Sequence, residues 1–167
     1  NRIRAMGTIR ILLIILCLTG LPAGLLAADE SREVQSLDAL ADDLKFQNGL
    51  GFLKIKKYDK ALETFNEYLE IYQSGTHRHE AYRHIAEIYF NRMEYLKAVD
   101  KYRALYEEFS NTESGVEAYY NIGLCYIKMG NEKKAAEIFN EIVENHGDSA
   151  YRQQAELQLS MIDILGE

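Results

Sequence analysis

The chain is poor in the residues that mark several protein classes. It has no tryptophan, one proline and two cysteines in 167 residues, and its 19 lysines and arginines are outnumbered by 26 aspartates and glutamates. Two cysteines cannot build a disulfide-stapled mini-domain. A formal charge of −7 runs against a nucleic-acid binder, which carries a basic stripe to match phosphates. A single proline speaks for a mostly helical chain, and against a many-turned β sandwich or a disordered proline-rich chain. Chemistry-bearing motifs are missing too. Gly49 and Gly51 stand in an apolar helix rather than a phosphate-cradling loop, and no serine or cysteine sits in a nucleophile-elbow context. The sequence therefore reads as a non-enzyme with no cofactor site, no metal site and one domain of ordinary size.

What is present begins with an uneven charge distribution. Residues 1–28 hold Arg2, Arg4 and Arg10 and no acid, followed by an apolar run from Ile11 to Leu18 and a small-residue pair, Ala27 and Ala28. A basic start, a short apolar stretch and a small-residue exit predict a secretory signal peptide, or an uncleaved anchor over 11–28. Met6 is a candidate true start. Losing three arginines and no acid takes the charge from −7 to −10 and leaves Cys125 as the sole cysteine of the mature chain. Cys125 lies among Ile122, Leu124, Tyr126 and Ile127, the setting of a small buried core residue rather than a reactive thiol. Residues 29–36 read as a polar linker or an extension of the first helix, and 37–165 as the folded domain.

Within that domain a period of 37 residues organises the sequence. Ala81, Ala118 and Ala155 align; so do Gly49, Ala86 and Gly123, then Phe52, Tyr89 and Tyr126, then Ala61, Ala98 and Ala135, then Phe65, Tyr102 and Phe139. Small residues recur where small residues stood, and large apolar ones where large ones stood. Inside each copy the apolar spacing is helical: Ala61, Leu62, Phe65, Tyr68, Leu69 and Tyr72 fall on one stripe, and Tyr82, Ile85, Ala86, Tyr89 and Phe90 on another. Gly130-Asn131 reads as a helix stop followed by an N-cap, and Ser114-Gly115-Val116-Glu117 as a capping box. Each copy is thus a helix, a tight turn and a second helix. Tyr151–Leu165 aligns with a first helix and serves as a C-terminal cap.

Tyr119-x-x-Ile122-Gly123-x-x-Tyr126 followed by Ala135-x-x-x-Phe139 resembles a tetratricopeptide repeat (TPR), as does Tyr82-x-x-Ile85-Ala86-x-x-Tyr89 with Ala98-x-x-x-Tyr102. The first copy departs from the pattern, with Lys45 and Asn48 at apolar positions, and no copy has the closing proline. The resemblance implies an all-α, right-handed superhelical solenoid of about three TPR-like helix-turn-helix repeats plus the C-terminal capping helix. The long inter-repeat loops are similar to those of bacterial envelope TPR modules of the BamD and CpoB/YbgF kind. That implies an exported, periplasmic or envelope-associated scaffold or adaptor that binds a protein partner, as an extended peptide or a helix. Membrane contact would come only through residues 11–28. A membrane-tethered outer-membrane-protein assembly factor and a self-associating envelope protein are the alternatives.

In such a stack the first helices line a concave groove. Positions one turn apart on them give Phe46, Leu50 and Lys54 in the first copy, with Arg83, Glu87, Phe90 and Asn91 in the second. Tyr120, Leu124 and Lys128 follow in the third. Apolar anchors beside arginine and lysine suit a bound peptide or helix. The segment from His77 to His84 contains three histidines and Glu80, but His77 and His79 fall in a loop or first turn, so the expectation is an exposed helix start rather than a zinc site.

Overall fold

In a computed structural model, the backbone is described for residues 23–166 and side chains for 35–164. The signal-peptide and anchor reading lies largely on residues outside these. All regular structure among the described residues is helical. The helices are α1 (Ala23–Lys54), α2 (Tyr58–Ile71), α3 (Arg78–Asn91), α4 (Tyr95–Phe109), α5 (Glu113–Lys128), α6 (Glu132–Asn145) and α7 (Tyr151–Gly166). Residues 29–36 lie within α1. The chain divides into two compact units, residues 1–41 and 42–167. In the first, residues 35–41 are all exposed. No helix among the described residues is long and apolar enough to cross a membrane.

The second unit is a repeat solenoid in which each core is closed by the next pair. Ala61, Phe65 and Tyr68 of α2 pack with Phe46 of α1 and with Ala81, Ile85 and Ile88 of α3. Ala98, Tyr102 and Leu105 of α4 pack with Ala86 of α3 and with Ala118, Ile122 and Cys125 of α5. Ala135, Phe139 and Ile142 of α6 pack with Val116 and Tyr120 of α5 and with Ala155 of α7. One pair alone would leave much of this apolar surface in water, at roughly 25 cal/mol for each Å². Stacking is therefore the folding event.

Backbone approach sets the pair geometry. A Cβ added to Gly49 would sit 2.4 Å from the Phe65 ring, and one on Gly123 would sit 2.5 Å from the Phe139 ring. The two rings are fully buried, so a side chain at either glycine has nowhere to go. In the middle copy an alanine, Ala86, faces the same register, opposite Tyr102.

The three turns inside the pairs repeat the same backbone. Lys56 (φ 57°), Met93 (φ 62°) and Gly130 (φ 71°) all adopt the left-handed conformation, spaced 37 residues apart. Each turn closes with the same two bonds: from Lys56 N–H to Leu53 C=O, Met93 to Phe90 and Gly130 to Ile127 at 2.9 Å, and from Lys57 to Phe52, Glu94 to Tyr89 and Asn131 to Tyr126 at 2.9 Å. This is a Schellman stop, with glycine only in the third copy. Asn131 then caps α6, its side chain accepting from Lys134 N–H at 3.2 Å. The capping box expected at Ser114 is displaced: Thr112 is the N-cap of α5, its hydroxyl accepting from Gly115 N–H at 3.2 Å, and Ser114 lies inside the helix. Gly115 is required there because a Cβ would meet Phe109 carbonyl oxygen at 2.1 Å. The helix therefore starts two residues earlier than the sequence pattern placed it.

Candidate partner-binding face

Helix α5 touches both α3 and α7 directly as well as through their partners. Arg83 of α3 lies 3.6 Å from Glu117 of α5, and Tyr120 of α5 packs its ring 5.4 Å from that of Tyr151 of α7. The face built by the first helices is thus continuous within the second unit, and the candidate positions divide by depth. Phe46 and Tyr120 are only 3% and 8% exposed. Phe46 stacks on His77 at 4.4 Å and packs on Phe65, and Tyr120 packs on Phe139. Both are core side chains rather than partner contacts, because a neighbouring first helix covers their position. Leu50, Phe90 and Leu124 are half-buried, one edge on the core and the other open. Arg83 is half-buried in its pair with Glu117, whereas Lys54, Glu87, Asn91 and Lys128 are exposed.

A surface of this composition presents apolar edges at 37-residue intervals, Leu53, Phe90 and Ile127, beside charged and amide groups. It suits a side-chain-rich chain segment laid across successive helices. Among the described residues there is no group of three or more histidine, cysteine or acidic side chains placed to hold a metal. The three histidines are not an open helix start. His77 Nδ1 lies 2.9 Å from Glu80, His84 Nδ1 3.1 Å from Glu87, and the His84 ring stacks on Phe65 at 5.5 Å. Cys125 is fully buried, and burial pushes its thiol up to about 12, far from a reactive thiolate.

A polar tie in the first copy was not apparent from the sequence. Asp42, 7% exposed, accepts from the Tyr68 hydroxyl, from Thr76 N–H at 2.9 Å and from Thr76 Oγ1 at 3.2 Å. Tyr68 in turn accepts from His77 N–H at 3.0 Å. Burial alone would raise the Asp42 carboxyl, but the bonds from Tyr68 and Thr76 hold it below the ordinary range. The same surroundings push the Tyr68 phenol up, burial first and the Asp42 bond second. The signal was available: position 42 is in register with Val116, an inward position, so an acid there needed a buried partner. Nearby, Arg78 grips Glu108 through Nε at 2.5 Å and Nη2 at 2.7 Å, and its Nη1 donates to the Leu69 and Tyr72 carbonyls at the end of α2.

Residues 117–149 match the tetratricopeptide repeat family. The TPR domain of Sgt2 from Aspergillus fumigatus superposes with a TM-score of 0.54 over 74% of this chain and 77% of that one, at 18% identity, a likeness of fold. Photosystem I assembly protein Ycf3 of Synechococcus sp. (strain CC9605) is 33% identical over 85 residues, 51% of this chain and 47% of that protein. Its counterpart in Parasynechococcus marenigrum (strain WH8102) is 32% identical over the same shares. The transcription activator GutR of Bacillus subtilis (strain 168) is 32% identical over 95 residues, 55% of this chain and 11% of that protein. The chain spans about half the length of the Ycf3 relatives it matches.

Proposed function

We propose that the protein is a non-catalytic scaffold or adaptor that holds a segment of a protein partner, an extended peptide or a helix, against the first-helix face. The observation carrying this reading is the row of half-buried apolar side chains Leu53, Phe90 and Ile127, repeated every 37 residues beside exposed Asn91 and Lys128. Relatives named as photosystem I assembly proteins support an adaptor that serves assembly. The basic, acid-free start of the chain supports export, and with it a periplasmic or envelope setting of the BamD or CpoB kind, as a free adaptor or as a tethered assembly factor.

The test is a photoreactive residue placed in turn at Asn91, Lys128 and Gln73. Asn91 and Lys128 should cross-link one partner in cells, and Gln73, on a loop away from the face, should not. The double change Glu87→Lys with Asn91→Ala should weaken capture at least tenfold with an unchanged melting temperature. Equal labelling from all three sites overturns the reading, and labels that land only on a second copy of the chain assign the face to self-association.

A further inference from the structure

The second unit separates its charges by edge. The windows 54–60, 91–97 and 128–134, each spanning a turn inside a helix pair and spaced by the repeat period, hold nine basic and three acidic side chains, a net of +6. The windows 70–76, 107–113 and 144–150 span the loops between pairs and hold six acids and no lysine or arginine, a net of −6. Because first and second helices run antiparallel, the two sets of connections lie at opposite ends of the helices. Two contacts place the first two basic turns side by side: Arg92 bonds Asp59 at 2.8 Å, and its guanidinium lies 6.0 Å from the Tyr58 ring centre. Arg92 and Lys97 are paired with carboxylates. The other seven basic groups of this edge have no ion pair among the described residues, on a chain whose overall charge is −7.

Apolar side chains stand out from the same edge. Met93 is 75% exposed, Leu96 67% and Ile55 57%. Met93 is carried outward by a left-handed backbone that its side chain does not favour. The turns are three residues long and project at their tips, so they form a row of knobs rather than a cleft, which does not suit a folded peptide ligand. Lysines without an ion pair, two of them lying over the Phe52 and Tyr126 rings, interleave with exposed apolar side chains and match an anionic phospholipid surface, where lysine meets headgroup charge and apolar side chains enter the interfacial layer. We propose that the turn edge docks the protein onto anionic bilayers.

The absence of tryptophan allows a single-reporter test in the full chain. Leu96→Trp should shift its emission to shorter wavelength with vesicles of phosphatidylcholine and phosphatidylglycerol at about 7:3, and not with phosphatidylcholine alone; Gln73→Trp, on the acidic edge, should not shift with either. Adding Lys56→Glu, Lys57→Glu, Lys133→Glu and Lys134→Glu to the Leu96→Trp reporter should raise the lipid concentration needed for half the shift at least tenfold. Circular dichroism of each variant checks that the helices are retained. Raising salt from about 50 to 500 mM should weaken the unmutated edge in the same direction. The proposal is overturned if Leu96→Trp does not respond, if both reporters respond alike, or if the lysine changes leave the shift in place. A Leu96→Trp response to an acidic polypeptide such as polyglutamate but not to vesicles would also overturn it and give the edge to an acidic protein.

Discussion

The first and third repeats solve the same packing problem with different materials. The third, which carries the family match at 117–149, is held by apolar fit: Phe139 against Gly123, Ile142 and Ala135 fully buried, and a glycine at the left-handed turn. The first has a lysine, an asparagine and a glycine at positions 45, 48 and 51, where the inner copies place buried Ile85, Ile88, Ile122 and Cys125 or half-buried tyrosines. With polar residues at these positions, the repeat is tied by hydrogen bonds. Asp42 links α1 to Tyr68 and to the loop before α3, and Lys45 pairs with Glu67. The order of the first copy therefore depends more on polar contacts and on pH.

The comparison is broken most severely at Asp42. Asp42→Ala leaves the buried Tyr68 hydroxyl and Thr76 N–H without their acceptor, and should cost about 3 kcal/mol. Chemical denaturation would measure it, and hydrogen exchange should show the loss concentrated in α1 and α2 while α5 and α6 keep their protection. The sign with pH follows from the lowered carboxyl. The stabilisation is fully present above the unfolded value of about 3.9, and is lost as pH falls through the lower folded value. Exchange in α1 and α2 should therefore rise on acidification below about pH 4, with a smaller rise in Asp42→Asn.

A smaller effect probes the pair contacts. Gly123→Ala and Gly49→Ala should each destabilise by about 1–2 kcal/mol, because displacing a buried ring outweighs the roughly 1 kcal/mol gained in helix propensity. Ala86→Gly in the middle repeat should cost about 1 kcal/mol from propensity alone. Thermal melts of the three variants would order them, and a neutral Gly123→Ala would mean that the Phe139 ring has room the geometry does not give it.

The smallest effect sharpens the comparison at the turns, where one backbone carries lysine, methionine and glycine. Lys56→Gly and Met93→Gly should raise stability by up to about 1 kcal/mol, and Gly130→Ala should lower it by a similar amount. Opposite signs at equivalent positions are the outcome to look for in denaturation midpoints. The same sign at all three would remove the left-handed conformation as the cause.

The repeat was legible because side-chain volume keeps register in the sequence: Ala135 and Phe139 announce a pair wherever they recur. Turn handedness was legible only at Gly130, since Lys56 and Met93 adopt the same backbone without the residue that advertises it. The cap of α5 slipped because Ser114-x-x-Glu117 satisfies the pattern, while the local fold uses Thr112 and brings Phe109 against Gly115. On the candidate face, Phe46 and Tyr120 are sealed by neighbours that a single-helix projection does not contain.

The opposed edges have a consequence for the rate of encounter. Paired antiparallel helices cancel their backbone dipoles, so the side-chain separation of +6 and −6, roughly 20 Å apart along a 14-residue helix, sets the dipole of the unit. Such a body does not meet a charged surface or partner in random orientation. It is turned by the field before contact, which raises the productive fraction of collisions and makes association, more than dissociation, sensitive to ionic strength.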